Sequence, residues 1–210
     1  MSSTTAGAIA LGLYVTYIVW AFGVRTVLQY RRTGSTGFHG VSGRPGTVEW
    51  WAGVLFGIAL VLGLLAPAAQ WSALVTPVPV LDHTALQLIG TVLVATGFAA
   101  TVVAQLGMGA SWRIGVDEGE RTALVTTGTF ALVRNPVFTA MISGATGLTL
   151  LAPNLLAIIG LVALITAVEL QVRVVEEPYL LRTHGETYRA YTARVGRFLP
   201  AIGRLTTDVL

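Results

Sequence analysis

V-F-T-A-M-I-S-G-A-T-G-L-T-L-L-A-P-N-L-L-A-I-I-G-L-V-A-L-I-T-A-V (Val137–Val168) is the stretch that decides the fold. Two apolar runs, Val137–Leu151 and Leu155–Val168, are parted only by Ala152-Pro153-Asn154. Three residues leave room for nothing but a tight hairpin. Each run is shorter than the roughly 17–25 apolar residues of a comfortable helical span. Together they read as a helical hairpin whose inner ends project beyond the bilayer. Working outward, three longer uncharged runs precede it: Ala6–Val24, ended by Arg25; Trp50–Ala66, ended by Pro67; and Thr84–Met108. The leader Met1–Gly7 carries no basic stretch, so the first run is expected to be an anchored helix and not a cleaved signal peptide. The chain reads as an all-α integral membrane protein with five transmembrane helices and a C-terminal cytosolic helical region.

Composition agrees. Of 210 residues, 54% are hydrophobic and 11% charged, where a soluble domain carries about 25%. That disfavours both a soluble enzyme and a disordered chain. Without cysteine there is no disulfide, thiolate metal site or cysteine nucleophile. The 13 basic residues, all Arg, exceed the 10 acids too slightly to imply a nucleic-acid partner.

Charge placement sets the orientation. Arg25, Arg31, Arg32 and Arg44 follow the first run; Arg113, Arg121 and Arg134 follow the third; the remaining Arg lie from Arg173 onward. Pro67–His83 and Ala152–Asn154 hold none. With five spans every Arg falls on one side, so the N-terminus is expected outside, the C-terminus in the cytosol, and the protein integral to the plasma (inner) membrane. Four or six spans would break that partition.

Glycine recurs every third residue at Gly34, Gly37, Gly40, Gly43 and Gly46. Too short for a collagen-type assembly, the run reads either as a flexible cytosolic loop or as a mobile lid whose backbone approaches a ligand.

Charge gathers in two segments flanking the hairpin, Gly109–Phe138 and Glu169–Pro200. Glu169 precedes Arg173 by one helical turn, and Glu176 and Glu177 continue the ladder. Either this is a structural ion-pair ladder or the pair is functional at membrane depth. Pro178 is expected to kink the helix or begin a new turn. Tyr188, Tyr191 and Val195 share a helical face, which either lies on the inner leaflet or walls a pocket. His184 is far in sequence from His39 and His83, and no His/Glu grouping has metal-ligand spacing, so no metal is expected. No G-x-S-x-G motif is present.

These two segments carry a resemblance. L-V-T-T-G-T-F (Leu124–Phe130) and V-R-N-P-V-F (Val133–Phe138) resemble the L-V-x-x-G-x-Y-x-x-x-R-H-P-x-Y stretch of the isoprenylcysteine carboxyl methyltransferase family, whose relatives are the phospholipid methyltransferases. E-E-P-Y-L (Glu176–Leu180), H-G-E-T-Y-R-A-Y (His184–Tyr191) and R-V-G-R-F-L-P (Arg194–Pro200) are similar to that family's tail. The likeness covers about the last hundred residues. It implies an S-adenosylmethionine-dependent methyltransferase, releasing S-adenosylhomocysteine, whose cofactor-binding region is the cytosolic C-terminal part. Residues 1–108 would then be three supporting helices. Residues 109–210 would be the catalytic region: cytosolic loop, hairpin of spans four and five, and amphipathic C-terminal helices.

Carried over by position, the resemblance implies that Val125 and Gly128 lie against the adenosine, and that Arg134, Asn135, Pro136 and Phe138 form the next wall. Glu177 and Leu180 would close the pocket, with Tyr188 and Tyr191 nearby. Asn135 stands where the family has His, and Phe138 where it has Tyr. Asn cannot carry charge, and Phe lacks a hydroxyl that could hold the cofactor's amino-acid end. Glu169 and Arg173 are the candidate catalytic pair at the acceptor end, since Arg suits a carboxylate or phosphate. The expected acceptor is a lipid or prenyl-like small molecule entering from the bilayer. Two other readings stay open: an NADPH-dependent membrane reductase of the sterol type, and a non-catalytic membrane protein with a degenerate pocket.

Overall fold

The computed structural model describes residues 1–38, 40–112 and 123–205. His39, Arg113 and Arg121 lie outside the described residues. Five apolar helices account for most of the rest: α1 (Ser3–Thr33), α2 (Val48–Trp71), α3 (Thr84–Gly107), α4 (Pro136–Leu151) and α5 (Leu155–Arg194). Four of them are long and apolar enough to cross a membrane, and α4 is shorter. The protein is therefore an all-α membrane protein. The only β pairing among the described residues is two isolated bridges, Val133–Gly196 and Leu199–Ile202.

Local chemistry starts each helix. Ser2, Thr47 and Asn154 accept hydrogen bonds from the backbone N–H of Thr5, Trp50 and Ala157, which satisfies donors that the first helical turn leaves free. Pro136 opens α4, where its missing N–H costs nothing.

Pro67 does not end the second helix, contrary to its expected role. α2 runs on to Trp71. A proline is tolerated inside a membrane helix when neighbouring segments help satisfy the freed backbone groups. α1 packs tightly here: a Cβ at Gly7 would sit 2.6 Å from the Trp71 nitrogen and 3.0 Å from the Pro67 carbonyl.

The tight connector at Ala152–Asn154 is present, but α4 and α5 are not each other's main partners. α4 packs chiefly on α3, and α5 chiefly on α2. Glycines decide the first pairing. Cβ atoms at Gly90 and Gly147 would each stand 2.6 Å from the other residue's carbonyl oxygen, and one at Gly97 would stand 2.7 Å from the Gly144 nitrogen. Without side chains the two backbones touch, as close-packed membrane helices do. The buried core joins α2, α4 and α5 through Ala59, Met141, Ala163, Leu164, Val168 and Val172.

Two helices carry a π-helical segment, Val19–Val24 in α1 and Gln171–Glu176 in α5. Such segments are frequent at functional sites, because the extra residue per turn rotates every side chain that follows. α5 continues past Pro178 and kinks at Gly185, whose backbone is non-helical (φ 51°, ψ −125°).

Candidate active site

A single buried assembly ties the two resembling segments together. Glu177 accepts hydrogen bonds from Arg134 Nη2 at 2.7 Å and from Arg197 Nε and Nη2 at 2.8 and 2.9 Å. Their side chains are 11%, 2% and 9% exposed, so this is a charge cluster largely removed from water. The Glu177 carboxylate holds the Arg197 guanidinium above its ordinary pKa. Arg134 also donates to the carbonyls of Thr192, Val195 and Gly203. Backbone seals the joint: Arg134 N–H donates to the Gly196 carbonyl at 2.8 Å, and Asn135 donates to the Arg197 carbonyl through both its backbone N–H and its side-chain Nδ2 at 3.1 Å. Thr139 reaches the Phe198 carbonyl at 2.9 Å. The start of α4 is thus clipped to the tail that follows α5.

Beside this clip lies a cavity of about 760 Å³, within the range of ligand sites. Its walls differ along its length. Phe22, Phe56, Leu60, Met141 and Val168, from the bodies of four helices, make an apolar end. Asn135, Glu176, Tyr179, His184, Tyr188 and Tyr191 line the end near the clip. Phe22 and Phe56 meet edge to face with centroids 6.4 Å apart. Tyr191 donates to the Phe130 carbonyl at 2.6 Å, which pins the segment before α4 to α5. Tyr191→Phe should cost about 1–2 kcal/mol by leaving that buried carbonyl unpaired. A thermal melt in detergent that matched the native protein would refute the pinning role.

The glycine run forms part of the wall. All five glycines have left-handed backbone, with φ from 68° to 91°. That conformation is open to glycine and costly for other residues, and it accounts for the three-residue period. The loop lines the cavity through Thr36, Phe38, Gly40, Val41 and Ser42. Gly37 lies against Trp112, where a Cβ would stand 3.1 Å from the Trp112 carbonyl.

The sequence-derived site residues divide. Val125, Arg134, Asn135, Pro136, Phe138, Leu180, Tyr188 and Tyr191 line the cavity. Glu177 belongs to the clip, and Glu176 is the carboxylate at the cavity wall. Gly128, with φ 61°, opens the short helix Gly128–Ala131 and is not among the lining residues. Glu169 and Arg173 pair with each other across one turn, 38% and 55% exposed, and neither lines the cavity. Sequence reasoning missed Glu176, Gln171, Trp112, Phe22 and Phe56. For Glu176 no linear signal was available, because it is one of two adjacent glutamates and the π segment decides which of them faces inward.

Residues 85–187 match the phospholipid methyltransferase family. No curated protein matches the chain. The match bears out the resemblance read from the two motif blocks. The phospholipid methyltransferase region comprises α3, α4 and α5 almost to Tyr188. α1 and α2, which supply much of the apolar wall and the glycine loop, lie before it. Tyr191 and Arg197 lie just after it.

Proposed function

We propose that the chain is an integral membrane methyltransferase that transfers a methyl group from S-adenosylmethionine to a lipophilic acceptor at the cytosolic membrane face. One observation carries the reading: within a chain just under half of which matches a methyltransferase family, one cavity joins a polar, aromatic wall to an apolar wall at helix depth. When bound, S-adenosylmethionine supplies an electrophilic methyl group on a cationic sulfur. The residues fit it. Glu176 offers a carboxylate, and Tyr179 and Tyr188 offer aromatic faces, both of which stabilise a cation. Val125 and Leu180 flank the same end and suit a flat purine. Phe22, Phe56 and Met141 shape the acceptor end.

A carboxylate acceptor needs no base, so catalysis can rest on alignment and water exclusion. The glycine loop supports the second of these by walling the cavity. Glu169 and Arg173 flank the cavity-lining Gln171 on α5, and we assign them to the approach of the acceptor's polar end. The apolar helix faces, the orientation with every Arg on one side, and five crossings including the short α4 all belong to this reading.

Calorimetric titration of the detergent-purified protein tests it. S-adenosylmethionine and S-adenosylhomocysteine should bind, and NADPH should not. Glu176→Gln should weaken S-adenosylmethionine binding about tenfold or more, the effect of losing one charge-assisted contact, and S-adenosylhomocysteine binding less, because its sulfur is neutral. Absence of binding by either adenosyl compound, or a preference for NADPH, would overturn the methyltransferase reading. Unchanged S-adenosylmethionine affinity in the Glu176 variant would overturn the placement of the cofactor.

A further inference from the structure

Arg25 has no part in the site described so far. It ends the first apolar run and is completely buried, with 0% exposure. Its Nη2 donates to the carbonyls of Gln105 and Gly109 at 3.2 and 2.8 Å. Its guanidinium lies 4.8 Å from the ring centroid of Trp112. Those contacts use one nitrogen and the π face. Nε and Nη1 are buried without a hydrogen-bond acceptor. Among the described residues no carboxylate forms an ion pair with it. A buried guanidinium with neither counter-ion nor full hydrogen bonding is costly, and it persists where something compensates it.

The surroundings locate that compensation. Ala21, Phe22 and Thr26 on the same helix, and Gln105 and Trp112 across from it, all line the cavity. Gln105 Oε1 is also buried without a donor. Arg25 is not itself a lining residue: it stands directly behind Gln105 and Trp112, where α1 and α3 bound the cavity.

We infer that Arg25 is an anion anchor for the acceptor: reached where the Gln105 and Trp112 side chains give way at the cavity wall, it holds the carboxylate or phosphate oxygens of an amphiphile whose tail lies along Phe22, Phe56 and Leu60. The inference rests on the methyltransferase reading for the word acceptor, but not for the binding site. Arg is suited to the task, since its planar fork matches two anionic oxygens at once. An anchor supplied by α1 also gives the helices outside the family match a function, that of selecting which lipophilic molecule is held against a shared cofactor end.

The test is calorimetry in dodecyl maltoside with four probes: oleate, 1-oleoyl-glycerol 3-phosphate, oleyl alcohol and inorganic phosphate. Oleate and the lysophosphatidate should each bind at least tenfold more tightly than oleyl alcohol. Inorganic phosphate alone should not bind, because the tail contributes. Binding of inorganic phosphate as tight as that of the lysophosphatidate would replace the amphiphile with a free-anion site and overturn the proposal. Arg25→Gln should abolish the preference for the charged amphiphiles while S-adenosylhomocysteine binds as in the native protein, and Arg25→Lys should restore part of it.

Gln105→Glu is the second variant, for the case in which Arg25→Gln fails to fold. It sets an internal carboxylate in the polar group beside Arg25, and it should raise the melting temperature while removing oleate binding. Equal binding of oleate and oleyl alcohol, unchanged oleate affinity in both variants, or an equal loss of S-adenosylhomocysteine affinity in Arg25→Gln would each overturn the anchor. If the methyltransferase reading itself fails, S-adenosylhomocysteine will not bind the native protein, whereas the Arg25-dependent preference for oleate will remain.

Discussion

Glu177→Gln should lower the unfolding free energy by about 3–5 kcal/mol, the cost of removing one partner from a buried ion cluster. The size follows from what remains. Arg134 and Arg197, with side chains 2% and 9% exposed, would keep their charges and lose the carboxylate that both of them contact. A glutamine in its place keeps one acceptor oxygen but carries no charge, and its NH2 group would face a guanidinium. The loss would propagate, because Arg134 and Asn135 also pair with Gly196 and Arg197 and so hold the start of α4 to the tail. Cofactor binding should weaken with stability, since Asn135, Pro136 and Phe138 line the cavity from that same start. Denaturant titration in mixed micelles measures it. A change below about 1 kcal/mol would mean that water or other acceptors compensate the two guanidiniums, and the clip would not be what joins the segments.

Gly147→Leu should have an effect of similar size through a different cause. A Cβ at position 147 would come within 2.6 Å of the Gly90 carbonyl and 2.7 Å of the Val94 nitrogen, both backbone atoms. A flexible side chain could move aside, but a helix backbone cannot without parting α3 from α4. Overpacking of a tight core typically costs about 1–3 kcal/mol, and a leucine between two touching backbones belongs at the upper end or beyond. Gly144→Ala is the internal control. It lies one turn away on the same helix, yet nothing stands within 4 Å of its added Cβ. It should be neutral or slightly stabilising, as replacing a helical glycine by alanine gains up to about 1 kcal/mol. Melting temperatures of the two variants in one detergent decide the matter. Equal destabilisation would show that the α3–α4 contact is not backbone on backbone.

Much of the fold was legible because hydropathy is written residue by residue. The runs at Ala6–Val24, Thr84–Met108 and Val137–Leu151 lie within or match α1, α3 and α4, with ends displaced by a few residues where capping extends a helix. Pro67 misled because its local rule holds in water, whereas in a packed membrane helix neighbours can satisfy the freed carbonyl. The hairpin was right in its connector and incomplete in its packing. Side-chain periodicity marks an apolar face but does not say which helix covers it, and Gly90, Gly97 and Gly147 looked like any other small residues.

The candidate site was legible in part for the same reason. The motif blocks pointed to Asn135, Phe138, Leu180, Tyr188 and Tyr191, all of which line one cavity. Glu177 was assigned to that wall and lies instead between two arginines. The five-fold glycine period was visible as a pattern, but its meaning, left-handed backbone at every third residue along a cavity wall, depends on dihedral angles.

By itself the sequence determined that this is an all-α membrane protein, and which two segments carry the family resemblance. Hydrophobicity and charge are properties of residues in order, and the bilayer sorts them along one axis. Only the tertiary structure decided which glutamate faces the cavity, that Arg25 is buried without a carboxylate partner among the described residues, and that helices from the unmatched half complete the cavity. Those outcomes depend on the rotation of a π segment and on backbones meeting across long stretches of chain, and neither is encoded at any single position.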